Sequence, residues 1–399
     1  MTTTWLRADR AIIGDGKTVL TPAWLEIEED RIKTITNEKP VGVAQDTIID
    51  LGDATLTPGL MNLHDHISRK VLRDKPSSYP TSKRSKDLMA ESKEYLLLHC
   101  VHNAQAALKE GITWIQDYGL AGHTTIHLRR AIKEGLIKGP EICSCGMPIC
   151  MTGGHTHANC REVDGPDEVM KAVRAEIKAG ADIIKIMASG GLAHFPQEDP
   201  KYPEFTVKEL KVAIDTAHDS GIQTAAHAYP TVAILRLLEA GIDSVHHGVM
   251  LTEECIKIML EKKTTLIPTM SGLQGPYYLP DVSPEDLKNK DILIERIFKP
   301  HAKSVKMAID AGILVGTGTD SFGRLADEIR LIAEAAGETP IQAIGHATGI
   351  AAKIAARPDI GLLEVGKRAD IVAFPGDLTK SLENINQAVK VWLHGVAVL

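Results

Sequence analysis

Residues Leu56 to His66, Leu-Thr-Pro-Gly-Leu-Met-Asn-Leu-His-Asp-His, form the most informative pattern in the chain. An apolar run leaves a Pro-Gly turn and ends in two histidines separated by one residue. Because side chains alternate between the two faces of a β-strand, His64 and His66 are predicted to point the same way and Asp65 the opposite way. Two imidazoles side by side at a strand end make half of a metal site. In a chain with 16 histidines the pair alone is weak evidence, so its meaning depends on the residues downstream.

The composition is that of a soluble globular protein with ample material for a core: 399 residues, 44% hydrophobic and only 4% aromatic. Such a composition suits parallel strands covered by helices. The net charge of −7 is spread without long blocks of one sign, which argues against a nucleic-acid partner. No apolar stretch reaches the length of a membrane span, and the first residues do not resemble a signal peptide. We therefore expect a cytoplasmic protein without a membrane partner.

Six cysteines in a chain of this length do not form a disulfide framework. Cys143, Cys145, Cys150 and Cys160 cluster, but their spacing matches no standard zinc site. We expect buried or loop thiols in a reducing compartment rather than a second metal site.

The chain shows two kinds of pattern. From Ala8 to Leu51 the sequence predicts short strands with turns, including a hairpin at Asp15-Gly16. From Gly59 onward strands alternate with helices eight times, which is typical of a (β/α)8 TIM barrel. After residue 366 strands return, and we expect them to join the N-terminal strands in one β module. The predicted units are residues 1–58 with 366–399, and a barrel of residues 59–365. After the strand that ends in His66, barrel strands are predicted at residues 112–118, 141–147, 182–188, 223–228, 244–247, 264–270 and 314–319.

Three helices and one insertion are predicted with particular features. A long helix is expected over residues 86–110 and another over residues 340–357. Thr206, followed by Glu209 three residues later, predicts a capping box that opens a helix over residues 206–220. Residues 271–284, rich in Gly, Pro and Tyr, are predicted to be a long insertion.

Polar side chains stand at the ends of five predicted barrel strands, where TIM-barrel enzymes place their chemistry. Taken singly, each has an ordinary explanation: His227 could be a core histidine, and Asp320 a turn residue or helix cap. His246 and His247 are adjacent on one strand, so only one of them is expected to point inward. Together, residues of metal-ligand type at five strand ends indicate a metal site. The candidates are His64, His66, Lys185, His227, His246, His247 and Asp320.

Lys185 needs an explanation of its own, because its strand, Asp-Ile-Ile-Lys-Ile-Met, is apolar on both sides. A buried ammonium group without a partner is costly. Carboxylation of the lysine by CO2 supplies a reason for the residue, because the carbamate is an anion with two oxygens that can bridge two cations.

These motifs resemble the amidohydrolase superfamily over nearly the whole chain. The resemblance rests on Thr57-Pro-Gly-Leu-Met-Asn-Leu-His-Asp-His66, the lysine strand, Ala226-His-Ala-Tyr229, His247-Gly248 and Gly318-Thr-Asp-Ser321. The tail from Ile360 to Val372 resembles the return into the β-sandwich of that family. Within the superfamily, Lys185-Ile-Met-Ala-Ser-Gly-Gly191 and the Gly153-Gly-His loop resemble the imidazolonepropionase-like branch, which includes Xaa-Pro dipeptidases, arginine carboxypeptidases and ochratoxin-type amidases.

The resemblance implies a binuclear hydrolase of an amide bond, with two divalent metal ions, Zn2+ being the expected one, and a homo-oligomeric state. His64, His66 and Asp320 would hold the more buried ion. His227 and His247 would hold the other, and N6-carboxylated Lys185 would bridge them. The chain departs from the branch at His246, where an acidic residue is usual, and at Gln116-Asp117, where Arg-Asp is frequent. The role of His246 therefore stays open.

The expected mechanism uses water activated by the metal ions, with Asp320 as general base and then general acid. Tyr229, two residues after a predicted ligand, is expected to hydrogen-bond the developing oxyanion. His155, on the loop after the third strand, is expected to bind a carboxylate or carbonyl of the substrate. His157 on the same loop is a further substrate-binding candidate, and solvated loop histidines are the alternative for both.

Two other segments near the predicted site have candidate roles. Arg69, with Lys70 and Arg73, follows the first metal strand and is a candidate for steering an anionic substrate. A solvated basic loop is the ordinary alternative. Tyr277-Tyr278, in the predicted insertion, is a candidate lid.

Four other functions fit parts of the pattern. A mononuclear deaminase of a cyclic amidine shares the histidines and Asp320 but does not need Lys185. A lactonase or phosphotriesterase uses the same binuclear site, and only a substrate screen distinguishes it. A non-catalytic scaffold would have lost several ligands, whereas all six are present. A dinucleotide enzyme lacks support, because no Gly-x-Gly-x-x-Gly follows the first strand. Dipeptides, N-acyl amino acids and cyclic amides all fit as substrates, and Mn2+, Fe2+ or Co2+ fit the ligands as Zn2+ does.

Overall fold

The computed structural model describes residues 3–69, 72–74, 91–119, 122–192, 199–277 and 284–399. Lys70, Tyr278 and the predicted helix start at residue 86 lie outside these ranges. Within them the chain is a mixed α/β fold, in which parallel strands are connected by helices. None of the described helices is both long enough and apolar enough to cross a membrane.

Seven short strands precede the first histidine pair, as the turn-rich sequence predicts. They are β1 (Thr3–Ala8), β2 (Arg10–Ile12), β3 (Val19–Leu20), β4 (Ala23–Glu28), β5 (Arg31–Thr36), β6 (Ile48–Asp50) and β7 (Ala54–Pro58). The predicted hairpin joins β2 to β3, and the Asp15 carboxylate accepts hydrogen bonds from the backbone N–H groups of Lys17 and Thr18. Strands β5, β4, β1 and β6 form one sheet in that order.

The next nine strands are parallel to their neighbours and form two sheets. They are β8 (Leu60–Asp65), β9 (Ile112–Asp117), β10 (Glu141–Ser144), β11 (Ile149–Cys150), β12 (Arg161–Glu162), β13 (Ile183–Met187), β14 (Gln223–Ala228), β15 (Ser244–His247) and β16 (Thr265–Ile267). One sheet has the order β10-β9-β8, and the other has the order β12-β11-β13-β14-β15-β16. Because neighbouring strands are parallel, their carboxyl-terminal ends lie along one edge, which is where the polar motifs occur.

Helices follow most of these strands and bury an apolar face against them. They are α1 (Lys93–Lys109), α2 (Thr124–Lys133), α3 (Gly165–Ala179), α4 (Val207–His218), α5 (Thr231–Ala240), α6 (Glu253–Lys262), α7 (Met270–Gln274), α8 (Pro284–Leu293), α9 (Lys299–Asp310), α10 (Leu325–Ala336), α11 (Pro340–His346) and α12 (Gly349–Ile354). The predicted capping box is confirmed: Thr206 Oγ1 accepts from the Glu209 N–H, and the Glu209 side chain accepts from the Thr206 N–H.

One helix prediction is wrong. The single helix expected over residues 340–357 is interrupted at Thr348, because Gly349 N–H and Thr348 Oγ1 donate to the Gly14 carbonyl, a contact with the N-terminal module. In the predicted insertion, residues 271–284, most of α7 is present and α8 begins at the last residue, with a π-helical turn at Ile294–Phe298 leading into α9.

Residues 314–319, predicted as the eighth strand, form no regular strand, but together with Asp320 they lie between β16 and β8. Gly316 N–H donates to the Leu266 carbonyl at 2.9 Å on one side, and Leu63 N–H donates to the Thr317 carbonyl at 2.8 Å on the other. Glycine permits this close approach: a Cβ at Gly318 would lie 2.7 Å from His64 Cβ. The segment therefore connects the two parallel sheets and carries Asp320 to the strand ends.

The tail contains three strands, β17 (Ile371–Pro375), β18 (Lys390–Leu393) and β19 (Val396–Ala397), of which β17 pairs with the N-terminal strand β7. The six-stranded sheet has the order β19-β18-β17-β7-β2-β3, and Ile371 on β17 faces Pro58 on β7. The two ends of the chain thus share one sheet. Its strand β7 leads directly into β8, the strand that carries His64. The division into two domains stays a prediction.

All six cysteines are buried and free, which confirms the prediction of unpaired thiols. Cys150 and Cys160 pack with Met187 beside β11 and β13. The largest apolar cluster lies between β13–β16 and helices α3–α6, and consists mainly of Ala, Val, Ile and Leu. Close packing of these small aliphatic side chains accounts for a core with so few aromatic residues.

Candidate metal centre

The first histidine pair has the arrangement that strand alternation predicts. His64 and His66 are both buried, and their Nε2 atoms lie 3.3 Å apart. Asp65 points the opposite way, where its carboxylate pairs with Arg73 and accepts a hydrogen bond from Asn62 Nδ2 at 2.8 Å. The pair therefore presents two ring nitrogens to one space at the end of β8.

Asp320 joins this pair from residues 314–320. Its Oδ1 lies 3.5 Å from His66 Nε2, and one ligand atom each from His64, His247 and Asp320 lie within 4.8 Å of one another. Asp320 has a φ of +52° and its N–H donates to the His64 carbonyl at 2.9 Å. This strained backbone turns the carboxylate toward the histidines, and such strain is found at functional sites.

His227 and His247 come from the neighbouring strands β14 and β15, and their rings lie 4.6 Å apart. The hydrogen bonds that each ring makes determine which of its two nitrogens carries the hydrogen. His227 Nε2 is 3.1 Å from the Gly190 carbonyl, which can only accept, so Nε2 donates and Nδ1 keeps a lone pair. Thr269 Oγ1 donates to the Pro268 carbonyl and so accepts from His247 Nδ1 at 2.6 Å. Each ring is therefore oriented with one free lone pair, as metal-binding histidines are.

The expectation that only one of His246 and His247 points inward is wrong. Both rings face His64, with centroid distances of 4.6 Å for His246 and 5.3 Å for His247. His247 has a φ of +67°, so regular alternation ends before it. The left-handed backbone at the end of β15 turns two consecutive side chains toward the same space.

Lys185 on β13 is 1% exposed and forms no ion pair with a carboxylate of the described residues. Its Nζ lies 3.0 Å from His246 Nδ1 and 4.7 Å from the centre of the Tyr118 ring. Burial lowers the pKa of Lys185 from 10.5 to about 7. A buried amine that is partly neutral near pH 7 has the nucleophilic lone pair that a reaction with CO2 requires.

Burial also determines the charge state of the histidines. It lowers the pKa of His64, His227 and His247 well below 6.5, and Lys185 contributes to each shift as a nearby positive charge. Neutral imidazoles are acceptors at one ring nitrogen. Several such lone pairs, one carboxylate and one reactive amine in a single buried space fit divalent metal ions better than they fit a packed core.

His155 and Tyr229 lie beside these histidines. The His155 ring stacks on His227 at 4.2 Å, and a Cβ at Gly191 would lie 2.3 Å from His155 Cε1, so glycine is what leaves room for the ring. Glu204 Oε1 accepts from the His155 N–H at 2.7 Å. The Tyr229 ring is buried, 4.8 Å from His227. The solvated-loop alternative is thus wrong for His155.

His157 is placed differently from His155. Its side chain is half exposed and its Nδ1 lies 3.8 Å from Glu162 Oε1, so the structure leaves it at the surface. The proposed substrate-binding role of His157 stays a prediction. Tyr277, the described half of the candidate lid, is buried in one apolar cluster with Tyr229 and Phe298.

The chain matches the model of the Amidohydrolase family over residues 55–398. It belongs to the amidohydrolase family. This is a family of hydrolases, and the prediction of family membership is confirmed.

Individual relatives of this amidohydrolase agree with that assignment. An ochratoxinase from Aspergillus niger is 29% identical over 321 residues, an alignment that covers 72% of this chain and 66% of the relative. The match thus extends over slightly less than two-thirds of the length of that relative. The crystal structure of a Xaa-Pro dipeptidase with bound methionine in the active site superimposes with a TM-score of 0.85 at 26% identity, covering 99% of both chains. A prolidase complexed with N-methylphosphonate-L-proline has the same TM-score and identity, covering 100% of this chain and 99% of that one. These neighbours imply a TIM-barrel fold.

The two arginines of the predicted basic loop are buried in this amidohydrolase, so the solvated-loop alternative is wrong. Arg69 Nη1 donates to the Asp320 carbonyl at 2.9 Å and to the Ser321 carbonyl, and lies 3.5 Å from Asp65 Oδ1. Arg73 pairs with Asp65 and with Glu110 at 3.1 Å. These contacts favour a structural role that holds the Asp320 turn against β8, and the substrate-binding role of Arg69 stays a prediction.

Sequence reasoning did not identify Thr269, Gly191 and Tyr118 as residues of the site. Thr269 orients His247, Gly191 leaves room for His155, and the Tyr118 ring lies 4.9 Å from His64. Thr269 and Tyr118 lie at the ends of predicted strands, and this position is the feature that could have identified them as residues of the site. Because threonine and tyrosine are not typical metal ligands, the position alone was weak evidence.

Proposed function

We propose that this amidohydrolase is a binuclear metal-dependent enzyme that hydrolyses the amide bond of a dipeptide or an N-acyl amino acid. The observation that carries the proposal is the convergence of oriented, neutral imidazoles, a buried amine and a carboxylate at the ends of parallel strands. Family membership supports the same conclusion, because it concerns residues 55–398 and so includes all of these side chains.

Six residues would hold the metal ions. His64, His66 and Asp320 form one group and His227 and His247 the other, with Lys185 between them as an N6-carboxylated bridge. In carboxylation, Lys185 Nζ forms a bond to the carbon of CO2 and releases one proton. The nitrogen and oxygen donors suit Zn2+, which is the expected ion.

The proposal includes a closed (β/α)8 barrel with a β-sandwich built from residues 1–58 and 366–399. Hydrogen bonds from Gly316 N–H to the Leu266 carbonyl and from Leu63 N–H to the Thr317 carbonyl support closure on one side. On the other side, Asp182 N–H donates to the Ser144 carbonyl at 2.8 Å, which connects the β10 sheet to the β13 sheet. In a closed barrel the carboxyl-terminal ends of the strands form one mouth, so the candidate ligands would share one chamber.

The bound ions would supply Lewis acidity and a lowered pKa for water. The protein groups then have separate tasks. The Asp320 carboxylate accepts the proton of the attacking water on a carboxylate oxygen and transfers it to the leaving nitrogen. The Tyr229 hydroxyl donates to the carbonyl oxygen as negative charge develops there. His155 and the apolar cluster around Tyr229 hold the substrate in place and limit access of water.

A substrate with a carboxylate beside the scissile amide fits the chamber best. His155 stacks on a predicted ligand, so it can contact a group directly beside the reacting carbonyl. The relatives named above are described as a Xaa-Pro dipeptidase, a prolidase and an ochratoxinase, which supports dipeptides and N-acyl amino acids as the first classes to test. The cytoplasmic location and the homo-oligomeric state stay predictions from the sequence.

The decisive experiment combines metal analysis with a substrate panel. Protein purified without chelator should contain about two ions per chain, and Lys185→Ala should contain fewer. The panel should compare Xaa-Pro dipeptides and N-acyl amino acids with the same compounds amidated at the carboxylate, which should react more slowly. The binuclear site would be contradicted if the natural chain contained one ion and Lys185→Ala contained the same amount. Faster turnover of lactones or phosphotriesters than of every amide would contradict the proposed substrate class.

A further inference from the structure

His246 is buried beside His64 at the proposed chamber, and the six-ligand pattern gives it no role. It lies on β15 between its hydrogen-bonded neighbours, opposite His227 on β14 and Ile267 on β16. Its ring meets the Tyr118 ring at a right angle with a centroid distance of 4.8 Å. Packing from three sides therefore restricts the orientation of the His246 ring.

One atom of this ring contacts two predicted ligands. His246 Nδ1 lies 2.8 Å from His64 Nδ1 and 3.0 Å from Lys185 Nζ. Both are hydrogen-bond distances, and both bonds converge on the same nitrogen. The two contacts come from strands β8 and β13, so His246 connects the first and fourth strands of the predicted barrel.

The direction of these hydrogen bonds follows from the chemistry of the donors. Two imidazole nitrogens 2.8 Å apart share one hydrogen, so either His64 or His246 is the donor. If His64 uses Nε2 as a metal ligand, its hydrogen is on Nδ1, and His64 donates. Lys185 Nζ carries hydrogens and also donates. His246 Nδ1 therefore accepts from both donors, which share its single in-plane lone pair, and this requires a neutral His246 with its hydrogen on Nε2.

We propose that His246 is a positioning residue whose Nδ1 accepts hydrogen bonds from His64 Nδ1–H and Lys185 Nζ–H. These bonds select the His64 tautomer that frees Nε2 and direct the Lys185 amine into the chamber. The inference rests on the proposed metal-dependent function. In many metal sites a carboxylate or carbonyl takes this accepting role, and here a neutral ring does so.

The bond to Lys185 is compatible with carboxylation. The carbamate nitrogen retains one hydrogen after the N–C bond forms and one proton leaves. His246 Nδ1 can therefore accept from Lys185 before and after the reaction with CO2.

Three variants distinguish the loss of the hydrogen-bond acceptor from the loss of the volume of the ring. In His246→Asn the amide oxygen can occupy the place of Nδ1, whereas in His246→Gln it lies one carbon farther away. His246→Leu removes the acceptor. Each metal-free chain, supplied with bicarbonate, is titrated with Zn2+ against a chromophoric chelator, and 13C NMR after loading with 13C-bicarbonate reports the carbamate. Circular dichroism checks folding, and the Asn and Gln pair decides the outcome if the Leu variant does not fold.

The matched control is His346→Asn. His346 is also buried and its two ring nitrogens also make bonds, to the Val315 carbonyl at 2.6 Å and to Glu338 at 2.9 Å. We expect the Gln and Leu variants to raise the dissociation constant for zinc about 10- to 100-fold and to weaken the carbamate signal. The Asn variant should stay close to the natural chain, as should the control.

Two results would overturn the inference and can be told apart from failure of the proposed function. Natural affinity in the Gln and Leu variants removes His246 from the positioning role, and so does an Asn variant as weak as the Leu variant. In both cases zinc binding by the natural chain leaves the metal-dependent function intact. A natural chain that binds no zinc overturns the proposed function itself, and the role of His246 with it.

Discussion

The two ends of the parallel strands bury polar groups in opposite ways. At the amino-terminal end, Glu141 at the start of β10 accepts from Arg357 at 2.6 Å and from Arg368 at 2.7 Å. Opposite charges there satisfy each other, and hydrogen bonds from Arg357 lower the pKa of Asp359 to about 2. At the carboxyl-terminal end, His227 and His247 are held by neutral acceptors, and each ring keeps one lone pair directed elsewhere.

This difference separates stability from function on the same set of strands. Paired charges at the amino-terminal end stabilise the fold, and because these groups already bond one another, they are not available to a ligand. The carboxyl-terminal end contains an amine and several imidazoles that burial keeps neutral, an arrangement that destabilises the metal-free protein. Variants at the carboxyl-terminal end should therefore change activity more than stability, and variants at the amino-terminal end should change stability more than activity.

The largest effect is expected from Asp320→Asn. The amide cannot accept a proton from water, so kcat should fall by about 10²- to 10⁴-fold, the usual contribution of a general base. The unfolding temperature should stay close to that of the natural chain, because the backbone bond from Asp320 N–H to His64 is kept. Steady-state kinetics with circular dichroism measure both quantities, and turnover at the natural rate would exclude Asp320 as the base.

Lys185→Met should reduce the metal content from about two ions per chain to about one, while stabilising the metal-free protein. Between pH 7 and the ordinary lysine pKa of 10.5, the unfolded chain binds a proton that the folded chain does not. The stability of the metal-free natural chain therefore rises with pH across this window, and the penalty is complete below pH 7.

The expected pattern for Lys185→Met is an unfolding temperature a few degrees above that of the natural chain at pH 7, a gap that closes toward pH 10. Calorimetry in the presence of chelator, from pH 6 to pH 10, measures it. A constant gap across that range would show that Lys185 does not titrate in this window.

Gly191→Ala tests the placement of His155 with a smaller expected effect. The added methyl group would displace the His155 ring from its stack on His227, and we expect KM to rise about tenfold for a substrate with a carboxylate, which corresponds to about 1.4 kcal/mol. His155→Ala and the double variant that combines it with Gly191→Ala complete a double-mutant cycle. If the methyl group acts through His155, the two effects are not additive. Additive effects would mean that Gly191 acts through another contact.

Glu141→Gln tests the amino-terminal end and should have the smallest effect on function. Losing one charge opposite Arg357 and Arg368 should lower the free energy of unfolding by about 1–2 kcal/mol, since Glu141 is about one-third exposed. Metal content and kcat should not change. Glu134→Gln, which breaks an exposed helix pair with Arg130, is the control and should change stability by less than about 0.5 kcal/mol. A loss of metal in Glu141→Gln would contradict the separation of the two ends.

Local rules predicted a large part of the fold and site. Strand alternation predicted the directions of His64, Asp65 and His66, although the pairing of β8 with β9 shifts register between Asn62 and Asp65. The Thr206 capping box was visible because both partners are three residues apart. The eight-unit alternation of strands and helices predicted the parallel order, because a strand that follows a helical crossover usually runs parallel to the strand before it.

Errors occurred where distant parts of the chain determine local geometry. The left-handed backbone at His247 reversed the expected direction of one ring, and the alternation pattern of the strand does not predict such a turn. The break at Thr348 depends on the Gly14 carbonyl, more than 300 residues away. Arg69 and Arg73 are buried because Asp65 and Glu110 pair with them, which a basic loop sequence does not reveal.

The sheet shared by both chain ends has a consequence for biosynthesis. Strand β7 leads directly into the strand with His64, yet its antiparallel partner β17 begins only at Ile371. During translation β7 has no antiparallel partner on this side until residues 371–375 have been synthesised. Pairings of such long range form slowly. The sheet that supports the proposed chamber is therefore completed late, after the segments that carry the proposed metal ligands have been synthesised.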